Sequence, residues 1–557
     1  MIGGEVVARA LKRNGIGTVF GLIGNQISPI LTNLEKYGIN YIGTRHEQAA
    51  IHMADGWAQC RRSCGVAMVS GGPGFTNSIN GIAKAYYAHT PLLVISGNIV
   101  FTQHDKGVLQ DIDQISIVKG ICKWAVTVFD VNRIDEYIDK AVKLAMSGRK
   151  GPVFLEFPIN VLRSVANELC WSYNGVCENK AFPGLNCNID MEVFKDFLKK
   201  YRKPVMLLGD EVYYSGADEK VVSAVNKLKI PVLTVNKARG LVPDDNAYCK
   251  GNGRIIDNGP QLEIIRKADL LLVVGVYCDY QMDCFGSDIF SGIEKILFLT
   301  ESAHISTANE RLDIISTDIG AFFDALDSSL DGQEKADELW LSEVDECVDS
   351  FRKKLVNEYS EANNGVSPYK LLSAVAGQAD KDTLFVLDGS NAMFWANIVL
   401  SANEPTQIII ASDGQHGSMG CGLPLALGAK AAFPEKNVVL YTGDGSLGFN
   451  ITETDTSVRY GLPVTIMVHN DRKWGLCETT QKILYNNVCG TVISNIDYAS
   501  VIKGFGGKGI SVRSDDDIKD ININNDDNII KCYDIFADDN AFSPGLKSFN
   551  DTLKKMR

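Results

Sequence analysis

The sequence lacks any apolar run long enough to cross a membrane. The longest runs, such as LLLVVGVY at 270–277, are far shorter than the roughly 20 residues that a membrane-spanning helix needs. The first residues, MIGGEVVARALKRNGIG, have a helical apolar period and no signal-peptide core. We therefore expect no membrane partner.

Cysteine pairs of the kind that mark metal sites are also missing. The chain has 14 cysteines but no C-x-x-C pair and no regular spacing. Neither a zinc site nor a disulfide framework is therefore predicted, and we expect reduced thiols in a cytoplasmic protein.

Basic residues are fewer than acidic residues. The 55 Lys and Arg residues face 68 Asp and Glu residues, which gives a net charge of −13. A surface of this sign repels phosphate backbones. We therefore expect no nucleic-acid partner and favour a small-molecule substrate.

The length and the hydrophobic pattern predict the fold. A chain of 557 residues exceeds one hydrophobic core and favours about three domains. Short β-branched runs alternate with amphipathic stretches in three successive blocks, which predicts parallel sheets covered by helices. The predicted class is α/β with three consecutive parallel-sheet domains, at residues 1–165, 186–330 and 360–557. An aperiodic linker at 165–188 and a charged helical region at about 333–363 separate them.

Acidic residues follow the strands of the third block. TLFVLDGSN, QIIIASDG and NVVLYTGDG carry Asp-Gly at their ends, and PVTIMVHND ends in Asn-Asp. Ligands gather at the carboxyl ends of parallel strands. Asp444 and Asp471 are 27 residues apart, which fits one strand end, one helix and the next strand end. Two such oxygen ligands suit Mg²⁺ on a diphosphate. For each fragment alone, a plain turn is the alternative.

GDGSLGFN at 443–450 and HND at 469–471 resemble the cofactor motif of thiamine-diphosphate-dependent enzymes of the acetolactate synthase and benzaldehyde lyase superfamily. The likeness spans about residues 2 to 510 and makes the three domains pyrimidine-binding, central and diphosphate-binding. It implies thiamine diphosphate and Mg²⁺, with Asp444, Asp471 and the main-chain carbonyl of Lys473 as metal ligands. It also implies these cofactor-binding residues: Gly74, Asn77, Gly389, Ser390, Asn391, Gly417, Ser418, Met419, Gly443, Gly445, Ser446, Asn470, Trp474, Gly475 and Leu476.

Two segments of the first domain supply the catalytic candidates by this resemblance. In TRHEQAAIHMADGWAQ (44–59), Glu47 is the carboxylate that hydrogen-bonds the aminopyrimidine, so that the cofactor can remove its own C2 proton. The alternative is a capping box between Thr44 and Glu47. In GVLQDIDQ (107–114), Gln110 is the glutamine that reaches toward the substrate, and surface helix polarity is the alternative. The implied substrate pocket comprises Asn25, Leu109, Gln110, Trp474 and Leu476.

Three glycine-containing segments resemble the loops around the cofactor. SDGQHGSMGCGLP (412–424) supplies Met419 as the wedge that bends the cofactor, and a core methionine is the alternative. DGSN (388–391) resembles the diphosphate cradle. SGGPGFTNSINGIAKAYY (70–87) resembles a loop at the cofactor, with a helix beginning near Thr76 or Asn77. For both of the latter segments, a plain turn is the alternative.

The resemblance also implies an assembly and a reaction class. Glu47 and Asp444 lie in different domains, and in the relatives the cofactor bridges two subunits, which implies a homodimer or homotetramer. The implied reaction is that of a carbon–carbon lyase or carboligase acting on 2-keto acids or 2-hydroxy ketones through a C2 ylid and an enamine, as in acetolactate synthase. GVYCDYQMDCFG at 275–286 lacks the RFDDR-like arginines that accompany FAD, which speaks against FAD.

Two alternatives stay open at this point. One is a 2-hydroxyacyl-CoA lyase or oxalyl-CoA-decarboxylase-like enzyme, with Lys237, Arg239 and Arg254 as candidate contacts to the nucleotide, unless they are ordinary surface charges. The other is a catalytically inactive cofactor-binding or regulatory subunit, against which the intact Glu47 argues. The Asp- and Asn-rich segment at 514–528 is either an exposed acidic loop or poorly ordered.

Overall fold

The computed structural model of the chain describes residues 1–167, 187–285, 288–301, 310–332, 336–362, 364–525 and 527–556. Most of the predicted linker at 165–188 lies outside the described residues. Three six-stranded parallel sheets, each flanked by helices, confirm the predicted α/β class. No helix in the described ranges is long and apolar enough to span a bilayer.

The first sheet is built from the N-terminal part of the chain. Three of its strands, Gly65–Val69, Leu92–Asn98 and Pro152–Pro158, are buried at every residue, as expected for a parallel sheet covered on both faces. The elements are α1 (Gly3–Arg13), β1 (Thr18–Gly21), α2 (Ser28–Leu34), β2 (Asn40–Gly43), α3 (Glu47–Arg61), β3 (Gly65–Val69), α4 (Pro73–Tyr87), β4 (Leu92–Asn98), α5 (Gln114–Val118), β5 (Trp124–Thr127), α6 (Ile134–Met146), β6 (Pro152–Pro158) and α7 (Ile159–Arg163).

The second sheet forms the centre of the chain, and a long helix follows it. Its strand Leu270–Val274 is the fully buried run LLLVV, and it lies between the strands Pro204–Leu208 and Lys295–Thr300. The elements are α8 (Met191–Leu198), β7 (Pro204–Leu208), α9 (Asp210–Ser215), α10 (Asp218–Leu228), β8 (Val232–Thr234), β9 (Cys249–Asn252), α11 (Gln261–Lys267), β10 (Leu270–Val274), β11 (Lys295–Thr300), β12 (Leu312–Ser316), α12 (Ile319–Ser329) and α13 (Glu338–Tyr359).

The third sheet carries the acidic strand ends. Its elements are α14 (Pro368–Ala376), β13 (Thr383–Leu387), α15 (Asn391–Val399), β14 (Ile408–Ile410), α16 (Gly422–Ala432), β15 (Asn437–Gly443), α17 (Asp444–Asn450), α18 (Glu453–Tyr460), β16 (Thr465–Asn470), α19 (Gly475–Tyr485), α20 (Tyr498–Gly504), β17 (Lys508–Val512), β18 (Lys531–Phe536) and α21 (Pro544–Met556). Over the three sheets, the sequence patterns did not predict β5, β9, β12, β17 and β18.

The first and third sheets share one strand order. The first runs β2-β1-β3-β4-β6-β5 and the third β14-β13-β15-β16-β18-β17, whereas the central sheet runs β12-β11-β10-β7-β8-β9. The direction of the strand order changes between β1 and β3 in the first sheet, and between β13 and β15 in the third. Such a switch point opens a crevice at the carboxyl ends of the strands. The crevices therefore lie between β1 and β3, and between β13 and β15.

The Asp- and Asn-rich segment is ordered over most of its length. A 3-10 helix at Asp515–Asp520 is closed by a capping box between Ser514 and Asp517. Ile518, Ile521 and Ile523 are buried against the helices and strands of the third domain. The segment is therefore an exposed acidic connection anchored by three isoleucines, and the first of the two alternatives is correct for its described residues.

Helices α3 and α16 hold the first and third domains together at short range. A Cβ atom added to Gly56 would lie 2.3 Å from the main-chain oxygen of Leu425, and one added to Gly428 would lie 2.1 Å from that of Met53. Each helix therefore approaches the other through a glycine, and any larger residue would force the helices apart.

A buried lysine joins all three domains. The Nζ atom of Lys237 donates hydrogen bonds to the main-chain oxygen of Ala88 (2.7 Å) and to the carboxylates of Asp210 and Asp413 (2.6 Å each). Burial alone would raise the pKa of Asp413, but the nearby ammonium group of Lys237 lowers it below its usual range. Gln281 also donates to Asp413. This junction fixes the start of the segment that leads to Met419.

Replacing Lys237 with methionine should destabilise the whole chain. The variant leaves two buried carboxylates without their counter-charge, which destabilises by about 3 to 5 kcal/mol. Scanning calorimetry of Lys237→Met should show a strongly lowered unfolding temperature. Lys199→Met, which removes an exposed pair with Asp196, is the matched control and should unfold like the parent. Equal unfolding temperatures for both variants would contradict the proposed role of the junction.

Candidate active site

The two acidic motif residues lie side by side at the edge of the third sheet. Strands β15 and β16 pair in parallel with Gly443 opposite His469. Asp444 begins helix α17 directly after β15, and Asp471 follows β16. The Oδ1 atom of Asp444 accepts a hydrogen bond from the main-chain N–H of Gly445 (2.8 Å). The Oδ2 atom is buried and has no hydrogen-bond partner among the described residues.

The electrostatics of this pair fit a cation. Burial, followed by repulsion from Asp471, raises the pKa of Asp444 to about 7. Burial also raises the pKa of Asp471 to about 6, although Lys473 opposes that shift. The ammonium of Lys473 is turned toward Glu478 and Asp539. Two carboxylates with little positive charge near them offer the hard oxygen ligands that Mg²⁺ prefers.

These carboxylates border a small cleft of about 100 Å³. Ser446 contributes a second buried oxygen atom, Oγ, that has no partner among the described residues. An orphaned hydroxyl beside two carboxylates suits a polar ligand, because an unsatisfied buried group is unfavourable. The structure brings these predicted residues together around the cleft: Gly389, Ser390, Asn391, Met419, Gly443, Asp444, Gly445, Ser446, Asp471, Lys473, Trp474, Gly475 and Leu476.

Glycines make room in this cleft. Gly389 has a φ of +87°, a left-handed backbone conformation that residues other than glycine rarely adopt. A Cβ atom on Gly445 would lie 2.5 Å from the ring of Trp474. The indole therefore packs directly on the GDG turn, and its edge also contacts Phe449 at a ring-centroid distance of 6.1 Å.

Three predicted cofactor residues use their polar side chains within the protein, and a fourth, Gly417, is exposed. Asn470 donates to Asp534 at 2.8 Å, and Asn391 donates to the main-chain oxygen of Ala541 at 3.1 Å. Ser418 accepts a hydrogen bond from Asn80 of helix α4 at 3.2 Å, and Gly417 is exposed beside it. Asn470, Gly417 and Ser418 do not line the cleft. They lie behind it or at the contact with the first domain.

Glu47 lies at the carboxyl edge of the first sheet. It opens helix α3, and its Oε2 atom accepts a hydrogen bond from Nδ2 of Asn77 at 3.0 Å. A Cβ atom on Gly74 would lie 3.3 Å from Oε1. The alternative of a capping box between Thr44 and Glu47 is wrong, because the cap is His46, whose ring nitrogen accepts a hydrogen bond from the N–H of Gln48.

Helix α4 begins earlier than its sequence predicted. It starts at Pro73 rather than near Thr76 or Asn77. The residue before it, Gly72, has a φ of +63°, and proline suits the first helical position because its missing N–H needs no partner there. Asn77 therefore lies one turn inside the helix, within reach of Glu47.

Gln110 lies in a turn, so the surface-helix alternative is wrong. Its φ is +69°, and a Cβ atom on Gly72 would lie 2.8 Å from the Gln110 Cβ. Leu109 beside it is 85% exposed. Asn25 is also exposed, in the loop after β1, where Gln26 accepts a hydrogen bond from the N–H of Gly71 at 2.6 Å. The first-domain candidates therefore surround the switch point of the first sheet.

The three basic residues considered for a nucleotide are not surface charges. Lys237, Arg239 and Arg254 are all buried. Arg239 is held by Asp244 at 2.8 Å, and Arg254 lies 3.8 Å from Asp257. Arg239 also borders a cleft of about 420 Å³, and the guanidinium nitrogens of Arg254 have no hydrogen-bond partner among the described residues.

Sequence reasoning missed three residues that line the cleft, Ala392, His469 and Cys477, and the contact residue Asn80. His469 lines the cleft, and burial lowers its pKa to about 4. Its position two residues before Asp471, at the end of a strand, could have indicated it. Asn80 joins helix α4 to the Met419 segment, because its side chain bonds both His416 (2.8 Å) and Ser418. No local pattern in the sequence marks that contact.

Comparison with protein families gives one consistent match. Three models match the chain in order: the thiamine pyrophosphate enzyme N-terminal TPP binding domain at residues 1–117, the central domain at 192–326 and the C-terminal TPP binding domain at 388–522. The two terminal matches contain the switch points at which Glu47 and Asp444 lie.

Individual relatives cover almost the whole chain. 2-Hydroxyacyl-CoA lyase 2 of Danio rerio is 31% identical, over 92% of this chain and 87% of its own length. The acetolactate synthase large subunit IlvG of Mycobacterium tuberculosis is 28% identical over 91% and 90%. The acetolactate synthase isozyme 3 large subunit of Escherichia coli is 28% identical over 92% and 89%. The chain therefore belongs to the thiamine-diphosphate-dependent enzymes, in the superfamily of the acetolactate synthases and 2-hydroxyacyl-CoA lyases, and is a carbon–carbon lyase or carboligase.

Proposed function

We propose that the chain is a Mg²⁺-dependent lyase or carboligase that acts on 2-keto acids or 2-hydroxy ketones. The observation that carries this proposal is the pair of carboxylates at adjoining strand ends, the buried Asp444 and the half-buried Asp471, together with the Oδ2 atom of Asp444, which has no hydrogen-bond partner among the described residues. Asp444, Asp471 and the main-chain carbonyl of Lys473 would hold the cation, and the residues around the cleft would hold the diphosphate of the cofactor. The cofactor would supply a nucleophilic carbon for chemistry at a carbonyl group.

The residues of the chain have three tasks in this proposal. Glu47 holds a proton between its carboxylate and the aminopyrimidine, which sets the tautomer of that ring. Met419, which lines the cleft, would support the bent form of the cofactor. Leu109 and Leu476 exclude water from the reacting carbon, and Gln110 orients the substrate oxygen. A cytoplasmic location stays our prediction from the cysteine spacing.

A second candidate function is that of a 2-hydroxyacyl-CoA lyase. Its support is the similarity to 2-hydroxyacyl-CoA lyase 2 of Danio rerio, at 31% identity. Lys237, Arg239 and Arg254 are buried, and the first two are paired with carboxylates, so these two add no support for a nucleotide contact. The assay below therefore includes a 2-hydroxyacyl-CoA.

The variant Glu47→Gln should abolish turnover and keep the cofactor bound. The amide has the shape of the carboxylate and can still accept from Asn77, but it cannot exchange the proton, so the rate should fall by about 10²- to 10⁴-fold. Product formation from pyruvate, benzoin and a 2-hydroxyacyl-CoA is measured beside calorimetric binding of thiamine diphosphate.

The control for that assay is Glu35→Gln, the same chemical change at an exposed residue of the first domain. It should leave turnover unchanged. Retained turnover in Glu47→Gln would refute the assigned role, and the substrate turned over by the parent protein decides between the two candidate functions.

Two chains form each reaction centre in this proposal, as a homodimer or a homotetramer of such dimers. Its support is the separation of the site into two parts. The residues that line the cleft come only from 389–477, whereas Glu47 and Gln110 belong to the first domain. The exposed Leu109 (85%) and Ile23 (72%) lie on the first-domain edge, as expected for a surface that a second copy covers.

Two inactive variants should restore each other if the site is shared. Co-expression of Glu47→Gln with Asp444→Asn gives mixed dimers in which one of the two centres carries both defects and the other none. Random assortment then returns about a quarter of the parental activity. In the control pair, Asp444→Asn with Asp471→Asn, both changes lie in the third domain. Every centre then carries one defect, and this mixture should stay inactive. No recovery in the first mixture would contradict a shared centre.

A further inference from the structure

His469 is a buried histidine that borders the cleft beside the two carboxylates. It is 3% exposed and lies next to the end of β16. Its Nδ1 atom is 2.9 Å from the hydroxyl oxygen of Tyr441, a residue of the neighbouring strand that is 1% exposed. Tyr441 does not line the cleft. One edge of the imidazole is therefore held by the protein core.

The hydrogen-bond network assigns the proton on this ring. A buried phenol needs an acceptor for its O–H, and Nδ1 of His469 is the partner that the described residues offer to Tyr441. If Nδ1 accepts, its lone pair is used and the ring proton lies on Nε2. Nε2 is then a hydrogen-bond donor, and it has no partner among the described residues.

The unpartnered donor belongs to a set of unpartnered atoms around one cleft. Asp444 Oδ2, Ser446 Oγ and His469 Nε2 are all buried and have no hydrogen-bond partner in the described part of the chain, and all three residues line the cleft. The first two belong to the motif assigned to the cation and the diphosphate. An N–H donor cannot ligate a cation, because it has no free lone pair. Its natural partner in this cleft is an anionic oxygen.

We infer that His469 donates a hydrogen bond from Nε2 to the diphosphate of bound thiamine diphosphate, and that Tyr441 is the positioning residue that fixes the donating tautomer. This inference rests on the proposed function, since it needs the diphosphate in this cleft. The N–H group of His469 is a neutral donor, placed close to two carboxylates that repel the diphosphate. A positively charged donor at this position would instead compete with the cation for the carboxylates.

Calorimetry with three variants tests the inference. His469→Leu fills the volume and removes the donor, so the dissociation constant of thiamine diphosphate in saturating Mg²⁺ should rise about 10- to 100-fold, the effect of losing a hydrogen bond to a charged group. Inorganic diphosphate should weaken by the same factor, and thiamine should not weaken. His469→Gln, which keeps an N–H donor, should restore part of the affinity. Tyr441→Phe should weaken diphosphate binding by less than His469→Leu.

His52→Leu is the matched control. His52 is also fully buried and also has an unpartnered ring nitrogen, Nδ1, but it lies on α3 outside the cleft. Its affinity for thiamine diphosphate should equal that of the parent. If His469→Leu fails to fold, the other two His469-network variants carry the test. Parental affinity in His469→Leu, or equal losses for thiamine and inorganic diphosphate, would overturn the inference. Absence of binding to the parent protein would instead refute the proposed function.

Discussion

Two carboxylates held together out of water repel each other, and the rest of the site depends on how this repulsion is resolved. Asp444 and Asp471 are brought together by the parallel pairing of β15 with β16, not by any attraction of their own. Burial raises the pKa of both groups, and the nearest ammonium, that of Lys473, is directed toward Glu478 and Asp539. The fold thus creates a deficit of positive charge, which a divalent cation removes without rearranging the sheet.

The same geometric rule explains why the two halves of the site lie on different sheets. The first and third sheets repeat one strand order, so both have a switch point between equivalent strands. The third uses its crevice for acidic ligands of a cation. The first uses its crevice for Glu47, Gln110 and the start of α4. The central sheet has another order and contributes instead to the junction at Lys237, which ties Asp413, and with it the Met419 segment, to both neighbours.

Much of this architecture could be predicted from the sequence, because its inner strands are continuous apolar runs and its acidic residues follow them at a spacing of one helix. The five missed strands are short or polar. β5, β9, β12 and β17 are edge strands, and an edge strand pairs on one side only and needs no apolar run. β18 is buried, but Lys531 and Asp534 interrupt its pattern, and the acidic segment precedes it.

The site was predictable where a residue belongs to a motif and unpredictable where a long-range contact decides. The capping-box alternative for Glu47 is wrong, because His46 rather than Thr44 caps α3. Ser418 and Asn470 face the protein because Asn80 and Asp534 reach them from distant segments. The partnership of His469 with Tyr441 is of the same kind, since it joins two strands across 28 residues.

The central claim is that a divalent cation couples the acidic strand ends to the cofactor. The most direct measurement is a calorimetric titration of cofactor-free, metal-free protein with thiamine diphosphate, once in Mg²⁺ and once in a chelator. The account predicts one thiamine diphosphate bound per chain in Mg²⁺ and little or no binding in the chelator, because the unscreened carboxylates then face the diphosphate. Equal affinity in both solutions would contradict it.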